Sequence, residues 1–265
     1  MILEANGRDE EKLKTMKNSW KTVAGRLLPI LLWVAMRGNA GPSPDASVGE
    51  PLRQISTDVF QLGAVRLDKA RKTVQFPARL NMGEGVIEYL LVDAQGKTYE
   101  SLLRTDTAPY SIHLAMLLIG AKGAPQTAAL LNAPVEPFHV NHPKTGTNSL
   151  PSSAISGDSV VIELAWQTSA GPERVRAEDC LMNLAAHTNA ARGCWTYNGS
   201  RVVGGVFMAQ REGSIVALID DIDAMMNNPR PGSDNDQIWQ INTNVVPPTN
   251  TVVDVTFKLE TAVNK

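Results

Sequence analysis

Short runs of alternating apolar and polar residues occupy much of this chain, and turn-forming residues separate them. In the run Ser159–Gln167, apolar side chains stand at 160, 162, 164 and 166, and the turn residues Ser169–Pro172 follow. A period of two residues is that of a β-strand with one buried face. We therefore expect antiparallel strands here and in the similar runs Val59–Leu67, Thr73–Leu80, Glu173–Arg176, Cys194–Tyr197, Arg201–Gln210, Ser214–Ile219 and Thr251–Leu259.

The clearest hairpin is predicted for the runs Gly85–Val92 and Lys97–Arg104. The turn residues Asp93–Gly96 connect them, and Gly96 can adopt the positive φ that a tight hairpin turn requires. The sequence therefore predicts that these two strands pair antiparallel.

Helical spacing follows each of two predicted hairpins. Pro109 suits a first helical turn, and apolar residues recur at helical spacing until Gly120. A second helix is predicted over Ala177–Ala191 and a short one over Asp220–Asn228. The expected fold is α+β, with antiparallel β-sheets, a few packed helices and two hairpin–helix units at 85–120 and 159–191.

The N-terminal 40 residues have the three-part layout of a secretory signal peptide. A lysine-rich stretch precedes the apolar run Leu27–Met36, and small residues stand at the −3 and −1 positions of a break after Ala40. A start at Met16 would shorten the basic stretch to an ordinary length. We expect a signal peptide over 1–40, no membrane span after its cleavage, and an extracytoplasmic location, periplasmic or secreted.

Beyond residue 40, the predicted mature chain is moderately acidic. Removing 1–40 takes away seven basic and four acidic residues, which changes the net charge from −2 to −5. This charge gives no basic footprint for nucleic acid. Residues 41–57 are expected to be a flexible lead-in and residues 58–260 a single domain. A division into two subdomains near 125–151 is left open, because prolines interrupt that polar stretch.

Two groups of short motifs follow one another between residues 58 and 260. The first comprises Glu88–Val92, Gly96–Leu103, Thr105, Pro109, His113 and Gly120. The second comprises Trp166, Gly171, Arg176–Asp179, Trp195, Gly199–Ser200, Glu212–Ser214, Asp236, Trp239 and Asn242. In this order they resemble the YdjY domain family of poorly characterised bacterial proteins. Some relatives are described as ferredoxin-like, but an iron–sulfur cluster needs about four clustered cysteines. This chain has two cysteines, so no iron–sulfur cluster is expected.

Glu100 and His113 form the best candidate catalytic pair. The predicted hairpin and the helix after it would carry one residue each, so docking of the helix could bring a carboxylate to an imidazole. Lys97 or Arg104 would then hold an anion. In the alternative, both side chains are structural: Glu100 bonds backbone amides and His113 bonds a strand.

Other residues support further hypotheses about binding. Trp239 is a candidate for stacking on a ligand, although tryptophans are more often buried in a core. The acidic residues Asp220, Asp221, Asp234 and Asp236 could hold calcium or another divalent metal, but their spacing is not that of an EF-hand, and a solvated turn explains them as well.

A disulfide between Cys180 and Cys194 is allowed in an oxidising compartment. A continuous helix between them would hold the two residues about 21 Å apart. A bond is therefore expected only if the chain turns back between them.

The sequence leads to two function hypotheses, and a structural component of the cell envelope is left open as a third, for which the sequence gives no direct sign. The first is an exported, non-enzymatic YdjY-like domain that binds an unknown extracytoplasmic ligand or protein and needs no cofactor. The second is a metal-dependent or Glu/His-based enzyme centred on Glu100 and His113.

Overall fold

The computed structural model describes residues 51–126 and 155–260. Of these residues, 41% lie in strands and 12% in helices. The protein is therefore mostly β, and the predicted α+β fold with two hairpin–helix units is wrong. The predicted signal peptide over 1–40, residues 41–50 of the lead-in and most of 125–151 fall outside the described residues.

The described residues form seventeen strands and two α-helices. The strands that precede residue 127 are β1 (Arg53–Gln54), β2 (Val59–Leu62), β3 (Val65–Asp68), β4 (Thr73–Leu80), β5 (Tyr89–Asp93) and β6 (Ser101–Thr105). Those that follow residue 154 are β7 (Asp158–Thr168), β8 (Gly171–Arg176), β9 (Leu181–Asn183), β10 (Thr188–Asn189), β11 (Trp195–Tyr197), β12 (Val202–Val203), β13 (Val206–Phe207), β14 (Ser214–Ala217), β15 (Met226–Asn227), β16 (Trp239–Ile241) and β17 (Val252–Leu259). The helices are α1 (Pro109–Leu118) and α2 (Met208–Glu212), and short 3-10 turns occupy Thr98–Glu100 and Ala177–Cys180.

Eight of the strands close into a barrel. Neighbours pair in the order β4–β17–β7–β11–β15–β14–β5–β6, and β6 pairs with β4 again. Strands β1–β3 continue the sheet outward from β4, and β8 pairs with β7. Strands from before and after residues 127–154 therefore share one sheet. The predicted domain limits remain a prediction.

Side chains from alternate strand positions fill the barrel interior. On β17, Val253, Val255, Phe257 and Leu259 are buried, while the residues between them are exposed or half-buried. Phe257 meets Phe76 of β4 edge to face, with ring centroids 5.2 Å apart. This is a favourable aromatic geometry, and the period of two in the sequence thus decides which side chains form the core.

Helix α1 confirms the prediction made from the spacing after Pro109. It buries Ile112, Ala115 and Met116 and packs against β3 and β4. Within residues 51–126 and 155–260, no helix has both the length and the apolar character needed to cross a membrane.

The hairpin predicted for 85–104 is wrong, because β5 and β6 pair parallel, with Leu91 opposite Leu103. All five residues of β5 are buried, as are four of the five in β6. Such continuous burial is typical of parallel strands. The seven residues between them, Ala94–Glu100, form a crossover that returns the chain to the start of β6. Gly96 lies against the backbone of Gly213, so an added Cβ there would come within 3.0 Å of the Gly213 carbonyl oxygen.

The helix predicted over 177–191 is also wrong. After the 3-10 turn at Ala177–Cys180, the chain forms β9 and β10, which pair antiparallel. The Asn183 carboxamide oxygen accepts a hydrogen bond from the Ala186 backbone N–H at 3.0 Å, which stabilises the turn between these strands. Side-chain bonds of this kind compete with helical backbone bonds.

The same competition explains why Asp220–Asn228 is not a helix. The Asn227 side chain bonds both the N–H and the carbonyl of Asp221, each at 2.8 Å. The Asp221 carboxylate in turn accepts the Asp223 N–H at 2.8 Å. The backbone groups that a helix would use are thus bonded to side chains, and residues 226–227 join the barrel as β15.

Candidate functional site

The crossover between β5 and β6 brings three charged side chains together. Glu88 immediately precedes β5, and its N–H donates to the Glu100 carbonyl at 3.0 Å, which holds the two glutamates side by side. Lys97 lies at the start of the 3-10 turn that contains Glu100. The Lys97 Nζ atom lies 3.9 Å from Glu88 Oε2 and 3.4 Å from Glu100 Oε1.

These three side chains are neither buried nor free in solvent. Lys97 is 21% exposed, and Glu88 and Glu100 are each 19% exposed. Part of each of the three side chains is therefore open to solvent, although most of it is covered.

Tyr89 and Asp221 extend the cluster into the protein. The Lys97 ammonium donates to the Tyr89 hydroxyl at 3.3 Å and lies 5.0 Å from the centroid of the Tyr89 ring. The Tyr89 hydroxyl donates to Asp221 Oδ2 at 3.1 Å. Burial, with Asp221 next in importance, holds the pKa of Tyr89 well above its usual value, so this phenol stays protonated. We call Glu88, Tyr89, Lys97, Glu100 and Asp221 the acid–lysine cluster.

Glu88 has the most informative ionisation in the cluster. Its pKa is raised from 4.5 to about 7, first by burial and then by the charge of Glu100, with a smaller contribution from Asp236. Lys97 acts in the opposite direction. A carboxyl group with a pKa of about 7 is protonated for a substantial part of the time at neutral pH.

Glu100 and His113 are the predicted catalytic pair, and the structure places them in different surroundings. His113 Nδ1 lies 2.8 Å from the Tyr197 hydroxyl, and its ring centroid lies 4.7 Å from that of Phe207. Burial lowers the pKa of His113 from 6.5 to about 4. Among the hydrogen bonds and ion pairs of the described residues, none joins Glu100 to His113.

The two other predicted ligand-binding residues lie outside the acid–lysine cluster. Trp239 is 1% exposed in the core, and its carbonyl accepts the Ile87 N–H at 2.9 Å. Arg104 is half-buried on β6, opposite Arg79 of β4. The predicted stacking and anion-holding roles of Trp239 and Arg104 thus receive no support from this geometry.

The four predicted metal-binding aspartates divide between two environments. Asp221 belongs to the cluster, and Asp236 is close enough to raise the pKa of Glu88. Asp220 and Asp234 are exposed. Within the described parts of the chain, no group of three or more His, Cys, Asp or Glu side chains is arranged to hold a metal ion.

Cys180 and Cys194 are both free thiols in this structure. Cys180 is buried, which raises the pKa of its thiol to about 12. The chain does turn back between them, through β9 and β10. The disulfide remains a prediction.

Sequence reasoning identified Lys97 and Glu100 but missed Glu88 and Tyr89. Glu88 and Tyr89 open the motif that precedes the crossover, and Lys97 and Glu100 lie in the motif that follows it. The two motifs were available as a signal, but the wrong hairpin pairing gave no reason to place Glu88 beside Glu100.

Comparison with known proteins places this site within one family. The family model described as YdjY domain matches residues 65–258, a range that contains the whole acid–lysine cluster and nearly all of the barrel. This match confirms the resemblance seen in the motifs. Neither a curated protein nor a solved structure matches the chain.

Proposed function

The chain belongs to the YdjY domain family, whose function is unknown, and from that premise we propose that it is an exported, non-enzymatic binding domain. In this proposal, the ligand binds at the acid–lysine cluster. The observation that carries the proposal is the grouping of Glu88, Lys97 and Glu100, each about one-fifth exposed, at one place on the barrel.

The energetics of such a cluster favour a role in binding over a role in folding. Removing charged groups from water carries a cost that their mutual attraction rarely exceeds, so apolar residues would stabilise the same place at least as well. Partly covered charges that remain open to solvent are suited to a ligand that completes their interactions.

Export is the second part of the proposal, and the three-part pattern of residues 1–40 supports it. In cells that express the full chain, the exported protein should have an N-terminus at Gly41, which N-terminal sequencing can determine. Material that stays in the cytosol with residues 1–40 attached would contradict the export claim.

Binding can be tested by thermal unfolding of the mature protein with millimolar butylammonium, butanol, butyrate or calcium chloride. We expect at least one of these probes to raise the melting temperature of the wild-type protein. The double variant Glu88→Gln/Glu100→Gln should lose that response, whereas Glu173→Gln on the exposed strand β8 should keep it. Equal responses in all three proteins, or no response in any, would contradict a binding site at this cluster.

One observation favours a second candidate, an acid–base enzyme. A carboxyl group whose pKa is about 7 can donate and accept a proton at neutral pH, and Glu88 has Glu100 beside it as a second carboxyl group. Incubation of the protein with a metabolite extract, followed by mass spectrometry, would reveal turnover. Products that form with wild-type protein but not with Glu88→Gln would favour the enzyme, and unchanged extracts would favour the binding domain.

A further inference from the structure

Glu178 is fully buried, and its two carboxylate oxygens have very different surroundings. The side chain is 0% exposed. Its Oε1 accepts three hydrogen bonds, from Arg176 Nη2 at 2.9 Å, Arg230 Nη2 at 2.7 Å and the Gly193 N–H at 3.2 Å. Its Oε2 is buried and has no hydrogen-bond partner. A buried acceptor without a partner is costly and rare in native proteins, so Oε2 needs a donor.

Arg176 carries a matching donor. Its Nη2 donates to Glu178 Oε1 and also to the Gly193 carbonyl oxygen at 2.6 Å. Its Nε–H is buried and has no partner. In arginine, Nε and Nη2 form one edge of the planar guanidinium, and this edge matches the two oxygens of a carboxylate. Because Nη2 already bonds Oε1, the atoms Nε and Oε2 are the second half of the same pair.

Two other arginines in the described residues show the complete arrangement. Arg192 donates from Nε and Nη2 to the two oxygens of Asp179, each at 2.7 Å. Arg201 donates from the same two atoms to Asp223, at 2.5 Å and 3.2 Å. Between Arg176 and Glu178 only the Nη2 bond is made, so a further group is needed to connect Nε with Oε2.

The chemistry of Nε and Oε2 decides what that group is. It must accept a hydrogen bond from Arg176 and donate one to Glu178. A metal cation would be repelled by the guanidinium and cannot accept its proton, and a halide would be repelled by the carboxylate and has no proton to donate. A water molecule both donates and accepts, and buried waters make about three hydrogen bonds each. A third unpartnered group, the buried indole N–H of Trp195, is nearby, because Arg230 stacks on the Trp195 ring at 4.9 Å.

Three separate segments of the chain meet at this carboxylate. Glu178 lies in the 3-10 turn after β8, Gly193 follows β10 and Arg230 follows β15. Arg230 also donates from Nε to the Ala191 carbonyl at 2.5 Å, and its own side chain is only 9% exposed. With Glu178 covered in this way, none of its surface is open to a ligand larger than water.

We infer that a water molecule is bound inside the protein between Arg176 Nε and Glu178 Oε2, as a fixed part of the fold. It accepts the Nε–H and donates one of its own protons to the carboxylate. The site shares no residue with the acid–lysine cluster, so the inference does not depend on the proposed binding function.

NMR of the protein labelled with nitrogen-15 and carbon-13 tests this inference. NOE and ROE spectra are recorded between the water resonance and the arginine Nε–H protons. A bound water gives NOE and ROE cross-peaks of opposite sign, whereas proton exchange with bulk solvent gives both with the same sign. A long-range HNCO-type spectrum detects a direct hydrogen bond from an arginine Nε to a carboxylate, through the coupling across that bond.

Arg176 should give water cross-peaks of opposite sign and no coupling to Glu178. The internal control is Arg201, which is 0% exposed and bonds Asp223 directly, so it should give the coupling and no water cross-peak. Arg176→Lys should lose the assigned cross-peaks, whereas Arg174→Lys, at a position that is 62% exposed on the same strand, should keep them.

Three results would overturn the inference. A coupling from Arg176 to Glu178 would show that the two side chains bond directly. Cross-peaks of the same sign would show that Nε is open to bulk solvent, and the absence of any water cross-peak would show that no water lies there. Should Arg176→Lys not fold, carbon-13 correlations along the Arg176 side chain assign the signal, and the wild-type spectra alone decide the test.

Discussion

Replacing Glu88 by Gln should change how the stability of the protein depends on pH. In the folded protein the pKa of Glu88 is about 7, against 4.5 for an ordinary glutamate. The folded state therefore binds more protons than the unfolded state between these values. The stabilisation is fully present below pH 4.5 and is lost as the pH rises through 7. The glutamine side chain in Glu88→Gln cannot ionise, so this variant keeps its stability over this range.

The size of the effect follows from the two pKa values. A rise from 4.5 to about 7 corresponds to at most about 3 kcal/mol of unfolding free energy. Solvent reaches the carboxyl groups and screens their interaction, which reduces the expected change to about 1–2 kcal/mol. Relative to Glu88→Gln, the wild-type protein should lose this amount between pH 5 and pH 8.

Urea unfolding of wild type, Glu88→Gln and Glu173→Gln at pH 5, 6, 7 and 8 measures the difference directly. Glu173 is exposed on β8, so its variant should follow the wild-type curve. Parallel curves for wild type and Glu88→Gln across the whole range would refute the reasoning, because they would show that Glu88 ionises alike in the folded and unfolded states.

Three further predictions test other parts of the structure. Burial lowers the pKa of His113 to about 4, so the wild-type protein should become less stable as the pH falls from 6.5 towards 4. His113→Gln should not show this decrease, and urea unfolding at pH 5 and pH 7 checks the difference. Gly157→Ala should lower the free energy of unfolding by more than about 3 kcal/mol, because the added Cβ would clash with the Tyr197 carbonyl. Gly171 has a similar positive φ but open space around it, so Gly171→Ala should lower that free energy by only about 1–2 kcal/mol. Chemical denaturation of both variants measures the two values. Arg201→Met should lower the free energy of unfolding by about 3–5 kcal/mol, because it leaves Asp223 without its buried partner. In a double-mutant cycle, adding Asp223→Leu should recover part of that free energy.

Elements whose signal lies in neighbouring residues could be predicted from the sequence. Strands β7 and β8 form the hairpin that the turn residues indicated. Glu163 lies opposite Arg176 at one end of the pairing, and Thr168 lies opposite Gly171 at the other. Strand β17 and helix α1 were likewise found from their periods of two and 3.6 residues. In each case the side-chain pattern lies within the element itself.

Elements that depend on distant residues could not be predicted. The parallel pairing of β5 and β6 is accompanied by the packing of Gly96 on Gly213, which lies more than a hundred residues away in the chain. The absent helix at 220–228 depends on how Asn227 bonds the Asp221 backbone, a contact that periodicity does not report. Closure of the barrel depends on the pairing of β4 with β6, which also lies beyond local patterns.

The candidate site shows the same division. Lys97 and Glu100 are three residues apart and could be grouped from sequence, and the ion pair between them is local. The partner of His113 could not be found in this way, because Tyr197 lies 84 residues further along the chain. Glu88 was missed because it becomes the neighbour of Glu100 only when the crossover replaces the expected hairpin.

The central claim is that burial and the charge of Glu100 raise the pKa of Glu88 to about 7. Carbon-13 NMR of the glutamate side-chain carboxyl carbons, followed from pH 3 to pH 9, measures it most directly. The Glu88 midpoint should lie near 7 in the wild type. In Glu100→Gln that midpoint should fall, because a neighbouring negative charge is removed. A wild-type midpoint near 4.5, unchanged in Glu100→Gln, would contradict the account.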